Sequence, residues 1–295
     1  MENILTKKFT NGIYDHINID DYHADTEYLS SSSIKEAIKS LKHFRHYLDN
    51  NNNERKSHFD FGNAFELALM DVMNNTAEFD NEVLVFDETE RPEVDKNFNS
   101  TLNKEWKAEI MDTKKYIINK VGLESVETMK LMLESCWQDE TIQGLLKNTD
   151  YQKSLFWTDK ETGLNLKTRP DVCKVNKCVV IDIKTCKDAS PSGFGKDAAN
   201  LNYPIQAVLQ MRGCLETGLM SVINKYYWIA VEKTAPYNAQ IYEFEEGEWD
   251  WAYMRLDHVL NLIYKAQKEN KWVGYSQQSD NKWGILPISL PVWYR

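Results

Sequence analysis

The chain has 295 residues, 45 acidic against 35 basic, and a net charge of −10. That excess argues against a broad electrostatic grip on nucleic acid, so any DNA-contacting surface has to be local. Hydrophobic residues at 42%, with 9 Trp, 15 Tyr and 11 Phe, exclude a disordered polymer and allow one large domain or two small ones. No apolar run approaches the roughly 20 residues that span a bilayer. The opening "MENILTKKFTNG" lacks the apolar stretch of a secretory signal. A soluble, cytoplasmic protein with no membrane partner is expected. The five cysteines, Cys136, Cys173, Cys178, Cys186 and Cys214, form no CxxC pair and are expected to be free thiols.

In chain order, "LSSSS" (29–33) is an N-cap cluster. Ile34, Ala37, Ile38, Leu41, Phe44 and Leu48 then follow helical spacing, which predicts one helix to residue 48. The densest basic stretch, "IKEAIKSLKHFRHYL" (34–48) followed by "ERK" (54–56), is either a solvated helix face or a local nucleic-acid contact. "FDFGNAFELALMDVM" (59–73) predicts an apolar helix with Glu66 as the charge in its middle. Residues 81–98 look extended and then irregular. Two amphipathic helices are expected over 103–121 and 124–147. "SLFWTD" (154–159) is a strand and "KETG" a turn. A helix over 203–216, strands over 224–234 and 239–245, and a long helix over 247–270 complete the pattern. Helices on both sides of one central sheet are the expected architecture.

The segment "LKTRPDVCKVNKCVVIDIKT" (166–185) reads as a hairpin turning at Asn176-Lys177. If Val175 opposes Cys178, then Asp171 faces Asp182 and Arg169 faces Lys184. All four share one face, with Val172, Ile181 and Ile183 on the other. Facing carboxylates repel. Either Arg169 and Lys184 offset them in an ion-pair ladder, or a divalent cation does, and two hard oxygen donors suit Mg²⁺ or Mn²⁺. An ion held this way can polarise a phosphoryl oxygen and acidify water, with Lys184 orienting that water or stabilising developing charge. The layout suits metal-dependent phosphodiester hydrolysis.

These residues resemble the PD-(D/E)XK nuclease core, with Pro170-Asp171 as PD and Asp182-Ile183-Lys184 as (D/E)XK. Further blocks resemble RecE-type exonucleases, the exodeoxyribonuclease VIII group often encoded by phages and prophages. They are "YHADTEYLSSSSIKEAIKSLKHFRHY" (22–47), "FGNAFELALMD" (61–71), "SLFWTDKETGLNLKTRPD" (154–171), "NYPIQAVLQ" (202–210) and the closing "LPISLPVW". The resemblance spans most of residues 20–293, with unmatched stretches near 75–125 and 235–280.

The resemblance implies an α/β fold: a restriction-endonuclease-like core with a central mixed sheet flanked by helices and an N-terminal helical elaboration. A single domain over 1–295 is expected, mainly helical over 1–150, with the core sheet over 151–245 and a C-terminal helix and tail over 246–295. By the same resemblance Asp171 and Asp182 are metal ligands, the Ile183 carbonyl is a further ligand, and Lys184 is catalytic. Glu66 stands where the family usually places a metal-binding histidine. Tyr203 and Gln206 are expected to border the site and touch the scissile strand. The family often has a tyrosine at the position of Gln210. Ser30, Ser31 and Ser32 either bind a terminal phosphate or cap their helix. Arg45, Arg55 and Arg169 are candidate phosphate contacts, and His23 and His58 are packing or solvent histidines.

The implied activity is Mg²⁺-dependent 5′→3′ digestion of one strand of linear duplex DNA, leaving a 3′ single strand for an annealing recombinase. A homo-oligomeric ring around DNA is implied as well. The alternatives are a non-catalytic DNA-end-binding accessory protein and a repair or restriction endonuclease on the same core.

Overall fold

The computed structural model describes residues 9–15, 17–50, 60–97, 99–111, 116–245, 247–275 and 285–289. Arg55 and His58, and the whole "ERK" stretch (54–56) with them, lie outside the described residues. In order, the elements are β1 (Gly12–Tyr14), α1 (Ile19–Ala24), α2 (Ser31–Lys39), α3 (Leu41–Asp49), α4 (Asp60–Asn74), α5 (Glu78–Glu82), β2 (Val83–Phe86), α6 (Thr101–Met111), β3 (Tyr116–Asn119), α7 (Val126–Gln138), α8 (Glu140–Leu146), β4 (Asp150–Tyr151), β5 (Ser154–Thr158), β6 (Asn165–Thr168), β7 (Val172–Lys174), β8 (Val179–Cys186), α9 (Pro191–Asn200), α10 (Tyr203–Glu216), β9 (Lys225–Glu232), β10 (Ala239–Tyr242) and α11 (Glu248–Glu269).

Three expected helices are divided, each for a local reason. The helix over 29–48 breaks at the buried, extended Ser40, whose hydroxyl accepts the His43 N–H at 3.2 Å and so caps a new helix. The helix over 124–147 breaks at Asp139, whose carboxylate accepts the Thr141 and Ile142 N–H groups at 2.8 and 2.9 Å. The helix expected to 121 ends by Met111, and "YIIN" instead forms β3, parallel to β2. That run is rich in residues that suit a pleated surface better than a helix.

The expected single sheet is also divided. A five-stranded mixed sheet has the order β10-β9-β8-β7-β4, with β8 and β9 parallel and the other pairs antiparallel. A three-stranded sheet has the order β1-β5-β6, and β2 and β3 form a separate pair. Parallel β8 and β9 need a long crossover, which α9 and α10 supply.

Side-chain alternation in the central sheet separates two cores. Cys173, Val180, Trp228 and Ala230 pack with α2, α10 and α11, while Val172, Ile181, Ile183, Ile229 and Val231 pack with α4, α7 and α8. Helix α10 lies close to the three-stranded sheet because Gly213 has no side chain. A Cβ there would stand 2.5 Å from Thr168 Cγ2 and 3.0 Å from Trp157 Cζ3. Among the described residues, no helix is long and apolar enough to cross a membrane.

Candidate active site

Strand β8 reads VVIDIKTC. Its pleat turns Ile181 and Ile183 into the α4 core and Asp182 and Lys184 toward α10. The hairpin register is as expected: Val172 opposes Ile181, Cys173 opposes Val180 and Lys174 opposes Val179. The turn differs. Val175 does not pair with Cys178; residues 175–177 form a 3₁₀ turn closed by Cys178 at φ 56°. Asp171 stands one residue before β7, level with Asp182. There its Oδ2 accepts the Ile183 N–H at 2.7 Å, so a carboxylate occupies the next rung of the ladder. A strand residue turns its N–H and C=O to the same edge, which puts the Ile183 carbonyl on the Asp171 side too.

Arg169 is a correction. It does not face Lys184, because the chain leaves one sheet at Thr168 and enters the other at Val172. The guanidinium instead donates to the Ile17 carbonyl at 3.1 Å and to Gln152 Oε1 at 2.8 Å. Gln152 Nε2 donates in turn to Glu66 Oε1 at 2.9 Å, and the Gln152 backbone N–H donates to the Asp171 carbonyl at 3.0 Å. Gln152 thus ties two acids together, holding an uncommon left-handed conformation at φ 51° to do so.

Asp182 is fully buried. Its Oδ1 accepts the side-chain amides of Gln206 at 3.1 Å and Gln210 at 3.3 Å. The Tyr226 hydroxyl meets Gln210 Oε1 at 2.6 Å and fixes that amide. Asp182 Oδ2 touches the Lys184 ammonium but has no well-aligned hydrogen bond. The Lys184 Nζ also lies 5.2 Å from the centre of the buried Tyr203 ring. Tyr203 and Gln206 therefore border the acids, as expected, and Gln210 joins them where the family often has tyrosine.

The electrostatics follow from this crowding. Burial, then the charges of Glu66 and Asp182, push Asp171 well above the usual carboxylate range, against Lys184 and the Ile183 N–H. Burial also raises Glu66, opposed by Gln152, Arg169 and Lys184. Burial alone would lower Lys184, but Asp182 and then Asp171 reverse this and hold it above the ordinary lysine value. Burial pushes the Tyr203 hydroxyl up to about 12.

Among the described residues, no three His, Cys, Asp or Glu side chains form a closed set for an ion. The donor chemistry still fits a hard divalent cation: Asp182 Oδ2 is buried with the Lys184 ammonium against it but no aligned hydrogen bond, and burial raises both Asp171 and Glu66. Mg²⁺ commonly takes one or two carboxylates and completes its shell with water and substrate oxygens.

Ser30 is the N-cap of α2 and forms a capping box with Ser33, whose hydroxyl accepts the Ser30 N–H at 2.9 Å and donates to the Ser30 carbonyl at 2.8 Å. Arg45 is engaged by Asp49 one turn on, with Nε 2.9 Å from Oδ2, and lies over the Trp272 ring. A cleft of about 460 Å³ opens beside α10, lined among others by Asn202, Pro204, Trp251 and Arg255, but it contains none of the acids. Sequence reasoning missed Lys35, whose ammonium donates to Gln206 Oε1 at 3.2 Å, and Gln152.

A mixed sheet carrying Pro170-Asp171 at the start of one strand and Asp182-Ile183-Lys184 on its neighbour is the core of the PD-(D/E)XK nuclease superfamily. Within it, residues 30–281 match the family described as "PDDEXK-like domain of unknown function (DUF3799)", and the chain belongs to that family. Among solved structures the chain is similar to one described as "Putative exonuclease" from Eubacterium rectale. The identity is 11%, 88% of each chain is covered and the TM-score is 0.57, a likeness that shows the fold. A second, SSO0001, is 13% identical over 72% of this chain and 88% of the other, and its TM-score of 0.30 carries no argument. No curated protein matches.

Proposed function

We propose that the protein is a Mg²⁺-dependent deoxyribonuclease, with Mn²⁺ as a substitute, that digests one strand of linear duplex DNA from its end in the 5′→3′ direction. The observation that carries it is Asp171 set level with Asp182 by the Ile183 N–H, with Lys184 against Asp182 and Glu66 tied to the same junction through Gln152. Asp171, Asp182, Glu66 and the Ile183 carbonyl would hold the cation, which when bound would polarise the phosphoryl oxygen and acidify the attacking water.

Lys184 stays protonated beside Asp182, so it acts as a hydrogen-bond donor and counter-charge rather than as a base. It orients the water or stabilises charge developing on the phosphoryl group as the P–O bond breaks. Gln206 and Gln210 fix the Asp182 carboxylate in one plane, and Tyr203 walls the lysine. End-directed cleavage, the 3′ tail for an annealing recombinase and assembly as a homo-oligomeric ring rest on the RecE-type sequence blocks. The name of the Eubacterium rectale structure agrees with the first of these. A ring would also reconcile the net charge of −10 with a DNA substrate, since capture of the strand offsets weak net attraction.

The test is one assay series on linear duplex, nicked circle and closed circle, with Mg²⁺ or chelator, using native protein and a Lys184→Ala variant verified as folded by circular dichroism. Metal-dependent loss of linear duplex alone, absent in the variant, is expected. Cleavage of closed circles would make the protein an endonuclease, and DNA binding without cleavage would make it an accessory factor.

A further inference from the structure

The basic stretch 34–48 was open to either a solvated helix face or a local nucleic-acid contact, and one lysine of α2 turns toward the acids' surroundings. Lys35 is half-buried, and its Nζ lies 3.2 Å from Gln206 Oε1 and 5.8 Å from the centre of the Tyr203 ring. Lys184 approaches the same ring at 5.2 Å. The two ammonium groups therefore flank one aromatic ring, but they are not equivalent. Lys184 has Asp182 in contact, whereas among the described residues Lys35 has no carboxylate partner and its polar neighbour is a neutral amide. Burial, and then repulsion from Lys184, lower Lys35 to about 8, with Asp182 opposing. An ammonium needs an anion when it is this far desolvated. The group that belongs in a nuclease site, and that Lys35 lacks, is a phosphate oxygen.

We propose that Lys35 is a second cation of the site and binds a backbone phosphate of the substrate strand beside the one being cleaved. This rests on the nuclease function proposed above. The contact with Gln206 gives Lys35 a further consequence. A lysine only donates, so it turns Gln206 Oε1 toward itself and the amide NH₂ toward Asp182. The strand that Lys35 holds and the carboxylate that Gln206 orients are thereby set in one register.

The experiment measures binding of a fluorescent single-stranded oligonucleotide by anisotropy in chelator, from 50 to 200 mM salt, alongside steady-state cleavage in Mg²⁺. The proteins are native, Lys35→Gln, Lys35→Met and Lys35→Arg, with unfolding curves for each. Loss of one phosphate contact makes the slope of log affinity against log salt shallower by about 0.7 for a single strand. That change is expected for Gln and Met and absent for Arg, together with a raised KM. Two neutral variants of different shape guard against one failing to fold. An unchanged slope with a lowered kcat would overturn the proposal, leaving Lys35 as a prop for Gln206. Native protein that cleaves DNA while Lys35→Gln keeps the native slope defeats this proposal alone. Native protein that neither binds nor cleaves DNA defeats the nuclease function and this proposal with it.

Discussion

The pair of Lys184 and Asp182 makes a prediction that needs no substrate. Asp182 is 1% exposed at its side chain and Lys184 18%, so the pair lies under the surface. Removing one member of a buried pair costs about 3–5 kcal/mol, because the remaining charge is stranded. Two features place Lys184→Met at the lower end. Asp182 Oδ1 keeps the amides of Gln206 and Gln210, and Lys184 is partly exposed. The expected loss is about 3 kcal/mol, a fall of roughly 5 °C in melting temperature for a chain of this size. Asp182→Asn in the same background removes the stranded charge but keeps an oxygen for both glutamines. The double variant is therefore expected to recover about 2 kcal/mol. Urea unfolding of the four proteins of the cycle, in chelator at neutral pH, measures the coupling. If Lys184→Met unfolds at the native midpoint, or the double variant is additive, the pair is a loose surface contact and Lys184 is not held charged as described.

Three further outcomes follow from the same geometry. Asp171→Asn should abolish cleavage yet stabilise the metal-free protein. A carboxyl raised in the folded state is penalised once pH exceeds its unfolded value near 3.9. The variant's advantage should thus vanish below about pH 4 and be full at pH values above the raised folded one, as unfolding curves across pH would show. Gly213→Ala trades a helix-propensity gain of about 1 kcal/mol for an overpacking cost near the upper end of about 1–3 kcal/mol. Net destabilisation of about 1–2 kcal/mol is expected, with reduced cleavage as α10 tilts from Asp182. Gln152→Gly relaxes a left-handed backbone but releases Glu66. The Mg²⁺ concentration for half-maximal cleavage is expected to rise roughly 10–100-fold, as for lost supports of metal ligands.

The hairpin was legible because its chemistry is local. Two short alternating runs around a polar turn fixed the register, and with it the level of Asp171 beside Asp182. Helix α10 was legible too, since Tyr203, Gln206 and Gln210 recur at helical spacing and Pro204 marks its start. What escaped was where one sheet stops and another begins. Pro170 in "TRPD" cannot donate to a ladder and marks where a strand ends, but it does not say which sheet the chain enters next, so Arg169 was placed in a ladder it leaves. Lys35 escaped for a related reason: which side of a basic helix turns inward depends on how α2 sits against α10. Gln152 gave no signal at all, since its role depends on a left-handed backbone at a non-glycine residue. Ser40 and Asp139 could have been read as caps inside long apolar patterns, and both split a helix.

The two passages between the sheets, one from β4 to β5 and the other from β6 to β7, are joined by two hydrogen bonds, Gln152 N–H to the Asp171 carbonyl and Arg169 to Gln152 Oε1. The acid that opens the signature motif therefore sits at the junction of the two sheets rather than inside either one. One core cluster takes Leu155, Trp157 and Leu166 from the smaller sheet and Val180 and Trp228 from the larger, so a shift of one sheet against the other would reach that shared core and Asp171 together.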